Sequence, residues 1–207
     1  REQYAAITRR DCLPQALEGL FHKVLESRAR AGKGMIQQVM RYYPVTMELV
    51  NKQYSGSTAI YKQHIMLALM ELGYDKEIFG RTFHTLFDKK TGLCRVEVEY
   101  PDVRLAAHMA QLAKGICVLA HPSVYHSLDL MWELAREGLI HGIEIHHPRN
   151  RREDLEQMLQ CAQEFHLIVT GGTDFHGSYS KEPNPLGTCV TMQQSLEQLF
   201  ALNQALE

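Results

Sequence analysis

Along residues 11–87, apolar side chains recur at helical spacing and no segment reads as a strand, so this stretch predicts consecutive helices. Leu13, Leu17, Leu20, Val24 and Leu25 mark the first, with Asp11 placed to cap it and Pro14 in its first turn. Gly32-Lys33-Gly34 predicts a break, with a new helix from Met35 to Arg41. Pro44 interrupts again, and Val45 to Gln53 resumes the helical pattern. Ser57 or Thr58 is the expected cap of a strong helix carrying Ile60, Ile65, Leu67, Ala68, Leu69 and Leu72, ended by Gly73. Glu77 to Phe87 gives a weaker helical pattern.

From Asp102 onward helix and strand alternate. Helices Val103–Ala113, Leu128–Glu137 and Arg151–Phe165 are each followed by a short apolar strand: Ile116–Ala120, Gly142–Ile145 and Leu167–Thr170. The loop Gly171–Gly187 precedes a further expected strand, Thr188–Val190, and a helix, Leu196–Ala205. Strands spaced about 25 residues apart, with helices between them, indicate βα units of a parallel sheet or barrel. Their near-continuous apolar character fits strands covered on both faces. The expected organisation is a mainly helical segment over 1–100 and a β/α portion over 101–207.

Composition narrows the function classes. Of 207 residues, 22 are Lys or Arg and 24 are Asp or Glu, a net charge of −2 that argues against a broad nucleic-acid-binding surface. No apolar run reaches bilayer-spanning length, so a membrane partner is not expected. The cysteines, Cys12, Cys94, Cys117, Cys161 and Cys189, are odd in number and widely spaced, which suits reduced thiols and a cytoplasmic location. The chain opens Arg1-Glu2-Gln3 without Met, and the native coding sequence is expected to extend upstream.

Eleven histidines change the picture most. In parallel α/β folds ligands bind at the carboxyl ends of strands, where several loops converge. The first strand ends in His121-Pro122. The second ends in Glu144-Ile145-His146-His147-Pro148, and the third runs into Gly171-Gly172-Thr173-Asp174-Phe175-His176. In an extended segment Asp174 and His176 point the same way and can approach one ion, with His121 as a third ligand. Mixed oxygen and nitrogen donors suit zinc, manganese or iron better than calcium. His146 and His147 are adjacent and point to opposite sides, so at least one is expected to be structural or solvent-facing. His22, His84, His108, His126, His141 and His166 lie on helices or ahead of strands and read as structural.

These segments resemble the motifs of the PHP family of metal-dependent phosphoesterases, named for polymerase and histidinol phosphatase. Val118-Leu119-Ala120-His121-Pro122 is similar to its third motif, and Gly172-Thr173-Asp174-Phe175-His176 to its fourth. Gly142-Ile143-Glu144-Ile145 with His146-His147-Pro148 resembles the intervening strand of the branch acting on nucleotides and oligonucleotides. Lys62-Gln63-His64 stands where that branch carries Arg-Thr-His in a helical insertion. The first motif, His-x-His, occurs nowhere in the chain, and the second is absent. Ser123 replaces the Gly that commonly follows His-Pro.

The resemblance implies a partial or distorted (β/α) TIM-like barrel of PHP type with a helical insertion. It implies hydrolysis of a nucleotide or short-oligonucleotide phosphate ester with Mn, Fe, Zn or Mg, and a segment incomplete by itself. His121, Asp174 and His176 would be metal ligands; Lys62, His64, Arg149 and His147 would face the substrate. Lysine for arginine at 62 exchanges a two-pronged phosphate grip for a point charge. Two other readings stand beside this one: a PHP-like remnant or regulatory module without catalysis, and another barrel-type metal hydrolase such as an amidohydrolase. An incomplete barrel leaves a strand edge, to be covered by the helical half or by a homo-oligomer.

Overall fold

The computed structural model describes residues 15–180 and 184–206. They fall into two units: residues 19–101, and residues 102–206 together with the first turn of the opening helix. Asp11, Leu13, Pro14 and Cys12 lie outside the described residues.

The first unit is helical: α1 (Gln15–Val39), α2 (Met47–Tyr54), α3 (Lys62–Glu71) and α4 (Arg81–Phe87). The expected break at Gly32-Lys33-Gly34 does not occur, and α1 runs through it. Packing explains the glycines: a Cβ at Gly32 would lie 2.8 Å from Cβ of Ile60, and one at Gly34 would lie 3.3 Å from Val96. The pair therefore allows close approach and does not end the helix, despite about 1 kcal/mol of lost helix propensity for each glycine. Thr46 caps α2, accepting from the backbone N–H of Leu49 at 3.2 Å. Neither Ser57 nor Thr58 caps α3. The Ser57 hydroxyl donates to the carbonyl of Ala59, and the helix starts after Tyr61, whose N–H donates to Nδ1 of His64 at 3.0 Å. Gly73, at φ 81°, ends α3 as its sequence position suggests. Ile36, Val39, Ile65, Met66, Leu69 and Phe87 fill the core of this unit.

The second unit is α/β. In order it contains α5 (Val103–Leu112), β1 (Val118–Leu119), α6 (Leu128–Arg136), β2 (Gly142–His146), α7 (Leu155–Glu164), β3 (Ile168–Gly171) and α8 (Gln193–Leu206). The strands form one parallel sheet in the order β1-β2-β3. Ile143 and Ile145 of β2 are buried against Met131 and Leu134 of α6 and Met158 and Cys161 of α7. That burial is the physical basis of the apolar strand pattern. β1 is shorter than its apolar run because only Val118 and Leu119 pair, with Gly142 and Ile143.

Among the described residues the sheet is open and three-stranded. One expectation needs correction: Thr188–Val190 is not a strand. Thr191 takes over the edge of β3 with its side chain, its hydroxyl donating to the carbonyl of Gly171 and accepting from its N–H, both at 3.0 Å. The hydroxyl supplies the bonds a strand ladder would have made.

Candidate metal centre

All three strand ends converge at the carboxyl edge of the sheet, where connectivity of this kind gathers its loops. Beyond β1, His121 adopts a left-handed backbone (φ 31°, ψ 59°) before the single 3₁₀ turn Pro122–Tyr125. After β2, the N–H of His147 donates to the carbonyl of Ile145 at 2.9 Å, and the N–H of Asn150 to the carbonyl of His147 at 3.1 Å. The Asn150 side-chain amide closes the turn on the carbonyls of Glu144 and Ile145, at 3.0 and 2.9 Å. After β3, Asp174 also lies in the left-handed region, at φ 50°. Non-glycine residues at positive φ are uncommon and concentrate at functional sites.

This arrangement brings His121, His147 and Asp174 together: each offers a ligand atom, and these atoms lie within 4.8 Å of one another. The two imidazole rings are 4.8 Å apart between centroids. His147 Nε2 stands 3.8 Å from Oδ2 of Asp174, beyond hydrogen-bonding distance. His121 Nδ1 and His147 Nε2 are buried without a hydrogen-bond partner. Buried polar atoms are normally satisfied, and an orphan costs about 1–3 kcal/mol. A cation among the three residues would satisfy both nitrogens, and two imidazoles with a carboxylate match the donors of zinc, iron or manganese. Burial, reinforced by the neighbouring His121 and Arg149, pushes the His147 pKa below its ordinary value. A neutral ring keeps a lone pair for a metal.

Arg149 completes the polar face, its guanidinium paired with Oδ2 of Asp174. His176 stands apart from the three-residue group. Because Asp174 is left-handed, the segment is not the extended one that would send both side chains the same way. His176 is exposed, its Nδ1 2.7 Å from its neighbour's backbone carbonyl at Asp174 and 3.4 Å from Oδ1. Lys62 and His64 belong to the helical unit. The Lys62 ammonium donates to the carbonyl of Phe87 at 3.2 Å, and His64 is buried at the start of α3.

Two residues quoted in the motifs, Glu144 and Ser123, take roles that the sequence did not assign to them. Glu144, half-buried in β2, accepts from the N–H of His121 at 3.1 Å and so supports the left-handed turn; burial raises its pKa. The signal was present, since Glu144 stands between the buried Ile143 and Ile145 in the strand. Ser123, the departure from the motif's glycine, is buried and donates to Asp154 at 2.5 Å. Its partner lies 31 residues further along the chain, which local pattern does not reveal. His141 behaves as the structural histidine expected, its Nδ1 accepting from the N–H of Cys117 at 2.9 Å.

No family model matches the chain. Its sequence is 32% identical over 170 residues to a phosphoribosyl 1,2-cyclic phosphate 1,2-diphosphodiesterase of Eggerthella lenta, covering 82% of this chain and 64% of that protein. In fold it is similar to a Bifidobacterium adolescentis protein described as a metal-dependent phosphoesterase. The TM-score is 0.76 at 23% identity, over 89% of this chain and 65% of the other. It is also similar to an amidohydrolase from Chromobacterium violaceum with bound sulfate and no metal, at a TM-score of 0.69 and 18% identity, over 91% and 68% of the two chains. The chain is thus similar in sequence to a phosphodiesterase and in fold to a phosphoesterase and an amidohydrolase, over most of its own length. It spans somewhat less than two thirds of the length of its curated relative.

Proposed function

We propose that the protein is an enzyme that hydrolyses a phosphate ester with the help of a bound divalent metal ion. The observation that carries this reading is the pair of buried, unpartnered imidazole nitrogens facing the Asp174 carboxylate. His121, His147 and Asp174 would hold the ion, with His176 at the rim as a further donor. The ion, as Mn, Fe, Zn or Mg, would supply an acidified water and offset phosphoryl charge.

Arg149 supplies the cation for the substrate. Its guanidinium can turn from Asp174 to a phosphoryl oxygen while Asp174 serves the metal, and a planar fork suits phosphate. His147 then has a positioning role, since its Nδ1 accepts from the N–H of Arg149 at 3.2 Å and holds that turn. Lys62 and His64 remain substrate-facing candidates by resemblance. The substrate class is a phosphorylated ribose, as in a nucleotide or short oligonucleotide. The Eggerthella lenta relative, named for a phosphoribosyl cyclic phosphate, extends that class to cyclic phosphodiesters.

The test is phosphate release, and ring opening of a cyclic ribose phosphate, by the full-length protein with and without Mn²⁺. Metal-dependent turnover of a phosphoester supports the reading. Amide hydrolysis without any phosphoester turnover overturns it in favour of an amidohydrolase.

A further inference from the structure

We infer that the buried Ser123 and Asp154, with Arg151 at the surface, form a clasp that sets the spacing of the His121 and His147 rings and thereby the affinity of the site for a divalent cation. This rests on the metal reading of the site. None of the three residues belongs to the ligand group; they act through the turns that carry it.

The need for such a clasp follows from the sheet. β1 and β2 stay in register only to the pair Leu119 and Ile143. His121 and His147 lie past that point, on separate turns after separate strands. Ser123 is 1% exposed and Asp154 5% exposed. The Ser123 hydroxyl donates to Oδ2 of Asp154 at 2.5 Å and accepts from the backbone N–H of Arg151 at 2.9 Å. The Arg151 side chain closes the ring on that same oxygen, through Nε at 2.9 Å and a terminal nitrogen at 2.8 Å. Ser123 is two residues beyond His121, and Arg151 is four beyond His147. One carboxylate oxygen therefore gathers a hydroxyl and a guanidinium, and ties the two ligand-bearing turns together.

Charge assistance makes these bonds strong, and burial makes their loss costly. Metal affinity depends steeply on ligand placement. Removing a group that orients a ligand typically lowers it about 10- to 100-fold.

The experiment measures Mn²⁺ binding by titration calorimetry, and the visible spectrum of the Co²⁺ form, for the unaltered chain, Ser123→Ala and Asp154→Asn. Folding is checked by circular dichroism. Both variants are expected to bind Mn²⁺ about tenfold or more weakly and to show an altered Co²⁺ spectrum. A purely structural role would lower unfolding midpoints and leave affinity and spectrum unmoved, and that result in the folded variants overturns the clasp alone. Should Asp154→Asn fail to fold, Ser123→Ala decides by the same criteria. An unaltered chain that takes up neither metal overturns the metal reading and the clasp together.

Discussion

Replacing His147 with leucine tests the site through stability, with a sign opposite to that of an ordinary core substitution. Without metal, His147 Nε2 is a buried orphan costing about 1–3 kcal/mol, which leucine removes. The ring also accepts from the N–H of Arg149, and loss of that bond costs about 1 kcal/mol. The difference leaves the metal-free variant between unchanged and about 2 kcal/mol more stable. With Mn²⁺ at a hundredfold excess over its dissociation constant, the unaltered chain gains about 2.7 kcal/mol and the variant gains nothing. Urea unfolding with EDTA and with Mn²⁺ measures both quantities. Trp132, the sole tryptophan, packs edge-on to Phe165 at 6.0 Å between centroids and reports the sheet unit. A variant that is clearly less stable in EDTA, or that keeps the Mn²⁺ gain, refutes the reasoning.

Further outcomes follow from other contacts. Asp174→Ala should abolish Mn²⁺-dependent phosphate release in the full-length protein while leaving its circular dichroism unchanged; retained turnover would reject a metal-ligand role. Gly32→Ala should destabilise the helical unit in urea melts although alanine favours helix by about 1 kcal/mol, because its Cβ would meet Ile60 at 2.8 Å. Acid should weaken the sheet unit through His141, whose pKa burial lowers from 6.5. Because the folded value is the lower one, its contribution is complete above 6.5 and fades as pH falls from there through the folded value. Replacing His141 with glutamine should flatten that part of the profile, as followed by Trp132 fluorescence.

The sheet unit was legible because β2 buries Ile143 and Ile145 against α6 and α7, and the candidate ligands follow the strands directly. Ile143 and Ile145 announced β2, and chain order alone put His121 and Asp174 at one edge. Conformation at single residues was not legible. The left-handed turn at Asp174 breaks the period-two geometry that would pair it with His176, and nothing in the residue types forces that turn. His147 was read as facing substrate by resemblance; adjacent histidines diverge, and only packing decides which one turns inward. In the helical unit, Gly32 and Gly34 carry the composition of a break. Their purpose depends on Ile60 and Val96, which the local pattern of α1 does not contain. Thr191 defeated a strand expectation in the same way, since one hydroxyl stands in for a backbone ladder.

The left-handed backbone at His121 and Asp174 sets a direction for change in this lineage. Holding side-chain-bearing residues there costs of order 1–3 kcal/mol each, and glycine is the residue that relaxes it. Glycine brings neither imidazole nor carboxylate. A descendant released from selection at these positions would therefore drift toward glycine at 121 and 174 as its backbone relaxed, and would lose an imidazole and a carboxylate in doing so.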